Sequence, residues 1–358
     1  MPTDPRPSTA PPARLRALAP RLIVSLLIAA GFVWLLRRGG LPMLPPAAAF
    51  DTLQWWGPIL YVALTVLGTM FRTYRWVHLL RPIEPRICAR HVLGTSLVSF
   101  AAVVFAPLRM GEVARPWLIS HSGAIRSMQA TGTVAAERVV DGLLLMTILG
   151  TSLWLATPLS PLPDHIGELQ VPVALIPTIA TTALLMFAGA FAVMATFYFF
   201  RDLVTRLVHA TVSLVSMKLA GWLIEQLERV SDGLRFLPSR KHGGAFLRDS
   251  LVYWGASALA LWVMLRGAGA PAGFSEACVI MGVMGLGSLL PSGPGFFGTY
   301  QLGAYCGLAL FFPESTVLGA GAVFTFVSYT GQLVVATLLG LVGMRLMASP
   351  AIAVIEST

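Results

Sequence analysis

Charge is the scarcest commodity in this chain. Only 11% of its 358 residues are Asp, Glu, Lys or Arg, while 56% are hydrophobic, and mean hydropathy is +0.76. A soluble globular domain carries about 25% charged residues, so that class is excluded. Carboxylates are scarcer than cations, 16 against 25, giving a formal net charge of +9. The basic residues are scattered among apolar runs rather than gathered on one face, which argues against nucleic acid as a partner and for loops lying beside anionic membrane lipid. Cysteine is limited to Cys88, Cys278 and Cys306. That odd count has neither metal nor disulfide spacing, so the three read as small packing residues. The chain has no Gly-rich nucleotide loop, serine nucleophile elbow or HExxH motif. His78, His91 and His121 show no ligand spacing. The expectation is no enzyme, no cofactor, no metal, and no transport driven by the chain's own ATP hydrolysis.

What is present is a series of apolar runs long enough to cross a bilayer, which takes about 20 residues. The expected fold is all-α and polytopic, with about six full spans near residues 22–36, 57–80, 131–155, 173–200, 250–265 and 316–344. Between them lie two apolar segments interrupted by Gly and Pro. Residues 91–120 break at Pro107-Leu-Arg-Met-Gly-Glu, and residues 275–308 break at Pro291-Ser-Gly-Pro-Gly-Phe-Phe-Gly. Paired broken helices point to a transporter's binding site near the bilayer midplane, because irregular backbone at that depth must be buried in protein or line a cavity.

The organisation follows. Residues 1–20 are a disordered, Pro- and Arg-rich cytoplasmic N-terminus. Residues 21–200 are a first membrane half with a re-entrant hairpin near 91–120, and residues 201–248 are a cytoplasmic amphipathic region. Residues 249–347 are a second half with a hairpin near 275–308, and 348–358 are a tail. The amphipathic stripe is Leu219, Leu223, Leu227, Val230, Leu234 and Leu237. Arg37-Arg38 after the first run makes a poor cleavage site, so that run is read as a retained span. Lys and Arg collect before the first span, at 81–90, at 126 and through 201–248, which puts both termini in the cytoplasm, although Arg37 and Arg38 then fall outside. In this topology the two broken segments enter from opposite sides. Residues 143–150 and 333–340 also share an apolar run ending Thr-Ile/Leu-Leu-Gly. Together these features predict an inverted repeat.

Charges inside membrane spans cost about 2.5–3.5 kcal/mol each on insertion scales and need a reason. Arg109, Glu112 and Arg115 lie on the first broken segment, with Glu137, Arg138 and Asp141 on the next span. Glu137 and Asp141 share a helix face, where Arg109 and Arg115 can pair with them. This is either an ion-pair network that docks the hairpin or a site where an arginine meets an anionic headgroup. On the second segment Gly293, Gly295 and Gly298 permit close backbone approach of a phosphate, and Ser292 and Thr299 add hydroxyls; the plainer reading is a tight turn between half-helices. Arg72 and Arg75 fall in the last turns of the second span, a position from which they reach the interface or, alternatively, a substrate.

Four strings carry a family resemblance: Arg75-Trp-Val-His-Leu-Leu, Pro107-Leu-Arg-Met-Gly-Glu-Val-Ala-Arg-Pro, Glu137-Arg-Val-Val-Asp-Gly and Leu290-Pro-Ser-Gly-Pro-Gly-Phe-Phe-Gly. In this order, across about residues 55–347, the chain resembles the lysylphosphatidylglycerol synthase transmembrane (flippase-like) family. The resemblance implies a multi-pass protein of a bacterial or archaeal inner membrane that moves lipids between leaflets. Some relatives carry a soluble aminoacyl transferase; residues after 347 are too few for one, so synthase activity is not expected. The second break departs from the Pro-Gly-Gly-Leu/Ile-Gly pattern of the family by an extra Pro and Phe. The expected function is a flippase for an anionic or polar-headgroup lipid, such as a phospholipid, an aminoacylated phospholipid or a prenyl-linked lipid. Its partners are membrane lipids, with oligomeric state open. The alternative is a non-transporting subunit that anchors or regulates a lipid- or glycan-modifying enzyme.

Overall fold

The computed structural model describes residues 13–106, 111–123, 125–171, 173–200 and 239–348, with scattered positions between 206 and 225. These residues are helical almost throughout, as expected. A short antiparallel pair, β1 (His165–Ile166) with β2 (Leu169–Gln170), lies in the link after the fifth helix. The first half contains α1 (Ala13–Arg38), α2 (Trp56–Leu80), α3 (Ala89–Phe105), α4 (Gly111–His121), α5 (Ser127–Leu155) and α6 (Ile176–Phe199). The second contains α7 (Arg240–Gly267), α8 (Phe274–Gly287), α9 (Thr299–Ala309), the short α10 (Glu314–Leu318) and α11 (Ala320–Leu346). Helix α1 starts at Ala13, inside the stretch expected to be disordered. The leucine stripe expected between 219 and 237 lies outside the described residues.

Four stretches are long and apolar enough to cross a membrane: Pro20–Arg38, Ser127–Leu155, Val173–Thr196 and Glu314–Leu346. Helices α2 and α7, also expected as spans, have the length at 25 and 28 residues but less apolar sequence. Their position explains this. They pack on each other and turn part of their surface toward protein rather than lipid. Gly57 meets Gly267, Gly68 meets Ala256 and Arg75 meets Ser250, so the two helices run antiparallel. At the first contact a Cβ on Gly57 would stand 2.7 Å from the Cα of Gly267; the backbones touch, as small residues allow between membrane helices.

Both broken segments are broken as the Gly/Pro pattern predicts. Each becomes two short helices, α3 and α4 in the first and α8 and α9 in the second. The second link carries a 3-10 turn at Pro294–Phe296. The longest of the four, α3, has 17 residues. At 1.5 Å per residue that is about 26 Å, short of the roughly 30 Å hydrocarbon core, so none crosses alone. The long helix after each break packs on the first helix of the other break. Helix α5 lies against α8, where a Cβ on Gly282 would meet Leu149 at 2.7 Å; α11 lies against α3, where one on Gly343 would meet the Gly94 carbonyl at 2.9 Å. The main apolar core joins Met264, Ile280, Tyr305 and Phe324, and a second cluster forms around Trp76, Ile119 and Ala136. Helices α1 and α6 turn Leu22, Ile23, Leu27, Leu185 and Met186 outward, a surface suited to lipid.

Candidate functional site

Glu137 and Asp141 project from one face of α5, as their four-residue spacing requires. Arg75 of α2 sits between them. Its Nη1 and Nη2 donate to the two Asp141 oxygens at 2.7 Å each, and Nη2 also donates to Glu137 at 2.8 Å. Ser250 of α7 accepts from Nη1 at 3.0 Å and donates onward to the Phe246 carbonyl at 2.8 Å. The second Glu137 oxygen accepts Nη1 of Arg115, on α4, at 2.7 Å, and Trp254 Nε1 donates to Asp141 at 3.3 Å. Arg138 stands further off, 3.8 Å from Glu137 and 4.0 Å from Asp141. Four helices are thus tied together by ionic hydrogen bonds.

Arg75 does not reach the interface, which is where its place near the end of α2 would put it. It is 0% exposed, as is Glu137. The hydropathy of α2 alone cannot show this, because the carboxylates and the hydroxyl that hold the guanidinium come from α5 and α7. A buried charge is tolerated only when paired and hydrogen-bonded, and here those helices supply the partners.

One wall of this lattice faces a cavity of about 500 Å³, within the range of small-molecule sites. Both broken segments and α2, α5, α7 and α11 line it. Its charged lining is Arg72, Glu112, Arg115, Arg138 and Asp141, and Tyr61, Tyr300 and Gln332 also line it. Arg115 stacks on Trp76, with its guanidinium carbon 4.0 Å from the ring centroid. Its Nε and Nη2 have no hydrogen-bond partner among the described residues. Arg72 lies over Phe100 at 4.2 Å and Tyr253 at 5.2 Å, with no carboxylate at ion-pair distance among the described residues. Its Nε also lacks a partner. Arg72, which its sequence position sends to the interface with Arg75, is instead the cavity cation least neutralised by protein. The available signal is the spacing Tyr61, Thr65, Thr69 and Arg72, one polar face on an otherwise apolar helix.

Of the other expected site residues, Arg109 lies outside the described residues, and half-buried Glu112 lines the cavity from the first turn of α4. The second break divides. Thr299 is buried, lines the cavity and donates to the Phe296 carbonyl at 3.1 Å. Ser292 is 3% exposed, and neither it nor Gly293 or Gly295 lines the cavity. The close approaches at the glycines are to protein. A Cβ on Gly293 would stand 2.5 Å from that of Ala29, one on Gly295 2.8 Å from the Tyr329 hydroxyl, and one on Gly298 would collide with Phe32. Gly295 and Gly298 have φ of +73° and +91°, a region that favours glycine. The packed-turn reading therefore accounts for these three positions. The N-terminus of α9 is partly closed by its own chain, with the Gly298 N–H donating to Gln301 Oε1 at 2.7 Å. No group of three or more His, Cys, Asp or Glu that could hold a metal exists among the described residues.

An all-α architecture with several bilayer-length apolar helices and a buried ionic lattice beside an internal cavity defines a multi-pass membrane protein. Residues 22–336 match the family model described as the lysylphosphatidylglycerol synthase TM region, and the chain belongs to that family. No curated protein and no solved structure matches the chain.

Proposed function

We propose that this chain moves a lipid with an anionic headgroup between the leaflets of a bacterial or archaeal inner membrane, and that it is not an enzyme. The cavity carries the reading: an internal space is lined by arginines that keep nitrogens without a hydrogen-bond partner among the described residues, between two pairs of helices too short to span. Arg72 and Arg115 present their forked donors to a phosphate, with Arg138 behind them, while Arg75, Glu137 and Asp141 hold the wall in place. Leu289 lines the cavity and is also 55% exposed, which marks it as the side from which acyl or prenyl tails would stay in the hydrocarbon while the headgroup is inside.

The packing supports alternating access by an inverted repeat. Helices α2, α3, α4 and α5 begin at 56, 89, 111 and 127, and α7, α8, α9 and α11 begin at 240, 274, 299 and 320, a near-constant spacing of about 190 residues of the kind internal repeats produce. The central pair α2 and α7 is antiparallel, and α5 on α8 is matched by α11 on α3. In this reading the two broken segments are re-entrant hairpins facing each other across the cavity, and both termini are cytoplasmic.

Leaflet exchange of labelled phospholipid in proteoliposomes tests the proposal. Wild type accelerates exchange of an anionic lipid, and Arg72→Gln, with its thermal unfolding unchanged, loses at least tenfold of that rate. No exchange by folded wild type, with or without a proton gradient, overturns the proposal. Copurification of a lipid-modifying enzyme would then favour a membrane subunit.

A further inference from the structure

Tyr61, Thr65, Thr69 and Arg72 all line the cavity. Steps of four, four and three residues place them on one face of α2, a polar stripe about 16 Å long at 1.5 Å per residue. A phosphate held at Arg72 occupies only one end of it. Among the described lining residues the other end carries no charged side chain. Gly331 packs against the Tyr61 ring, which brings Gln332 near Tyr61. Tyr61 and Tyr300 share Ser328, the first donating to its carbonyl at 2.8 Å and the second to its hydroxyl at 3.0 Å.

The two ends ask for opposite chemistry. Around Arg72 and Arg115 the wall offers N–H donors. Along the rest of the stripe the hydroxyl hydrogens of Tyr61 and Thr69 are already used. Thr69 donates to the Thr65 carbonyl at 2.7 Å, and across the cavity Ser257 donates to the Tyr253 carbonyl at 2.8 Å. With Tyr61 and Tyr300 also committed, what these groups turn to a ligand is oxygen lone pairs. An acceptor-lined wall selects a group rich in donors, either hydroxyls or an ammonium. The charge balance decides between them. Arg72, Arg115 and Arg138 on the lining outnumber Glu112 and Asp141, and Asp141 is already held by both arms of Arg75. A cationic headgroup would enter a cavity with surplus positive charge.

Resting on the transport reading above, we infer that the substrate lipid carries a phosphodiester followed by a neutral polyol or sugar. The phosphate is held by Arg72 and Arg115, and the hydroxyls are read by the Tyr61–Thr65–Thr69 face with Tyr300 and Gln332. An amine-bearing headgroup is disfavoured.

The full chain in proteoliposomes is offered three lipids with the same acyl chains: phosphatidic acid, phosphatidylglycerol, and phosphatidylglycerol carrying a lysyl ester. Phosphatidylglycerol exchanges about tenfold faster than phosphatidic acid, the effect of one or two net hydrogen bonds, and faster still than the lysyl ester. In Thr65→Val with Thr69→Val, which keeps side-chain shape, the ratio of the first two rates falls toward one. Equal rates in wild type, fastest exchange of the lysyl ester, or an unchanged ratio in the variant would each overturn the headgroup assignment while leaving transport standing. No exchange of any of the three overturns the transport reading and this inference with it.

Discussion

Arg72 and Arg75 are three residues apart on the same helix and do opposite work. Arg75 is fully enclosed, with both terminal nitrogens committed to Glu137 and Asp141. Removing one partner of a buried ion pair strands the other and costs about 3–5 kcal/mol. Arg75→Met should therefore lower the thermal midpoint of the detergent-solubilised protein steeply, and Glu137→Gln should do nearly the same because it also strands Arg115. Arg72→Gln forfeits only stacking on Phe100 and Tyr253, about 1 kcal/mol, and should unfold within a few degrees of wild type. A similar loss in all three would mean that Arg72 is also a structural charge. Sequence spacing was enough to put Glu137 and Asp141 on one face and Arg115 within reach of it. It was not enough to separate the two arginines of α2, since both lie near the helix end and the difference arises in α3, α5 and α7.

At the scale of elements, contact between helices is set by what side chains leave out. A Cβ on Gly57 meets the backbone of Gly267 at 2.7 Å, whereas one on Gly68 has nothing nearer than 3.5 Å and one on Gly31 nothing within 4 Å. Gly57→Ala should therefore force α2 from α7 and cost about 1–3 kcal/mol. Gly68→Ala should be near neutral, and Gly31→Ala should stabilise α1 by about 0.5–1 kcal/mol through helix propensity. Ranking the three by thermal unfolding checks the α2–α7 register; Gly57→Ala behaving like Gly31→Ala would disprove it. The element list was largely legible, because apolar runs and Gly/Pro breaks are local signals. The pairing of α2 with α7, and of α5 and α11 with opposite breaks, was not, since it depends on which glycines face each other across distances in sequence that hydropathy does not measure. The surroundings of the break glycines were hidden for a related reason. Their tolerance for close approach was visible, but the neighbours approaching, α1 at Gly293 and Gly298 and Tyr329 of α11 at Gly295, were not.

At the scale of the whole molecule, α1 precedes the eight helices that carry the proposed repeat. Ala29 and Phe32 lean on the second break at Gly293 and Gly298. Two interchangeable halves would give two conformations related by a two-fold rotation in the membrane plane and equal in free energy, each populated half the time. A helix that braces one half removes that degeneracy, and every 1.4 kcal/mol of difference tilts the populations tenfold. Phe32→Ala should redistribute the molecule between its two forms without altering the cavity wall. A thiol-reactive probe on a Leu289→Cys background should register this as a changed labelling rate relative to the same background with Phe32 intact. Helix α1 then acts as a thumb on the scale, choosing which face of the membrane the idle protein listens to.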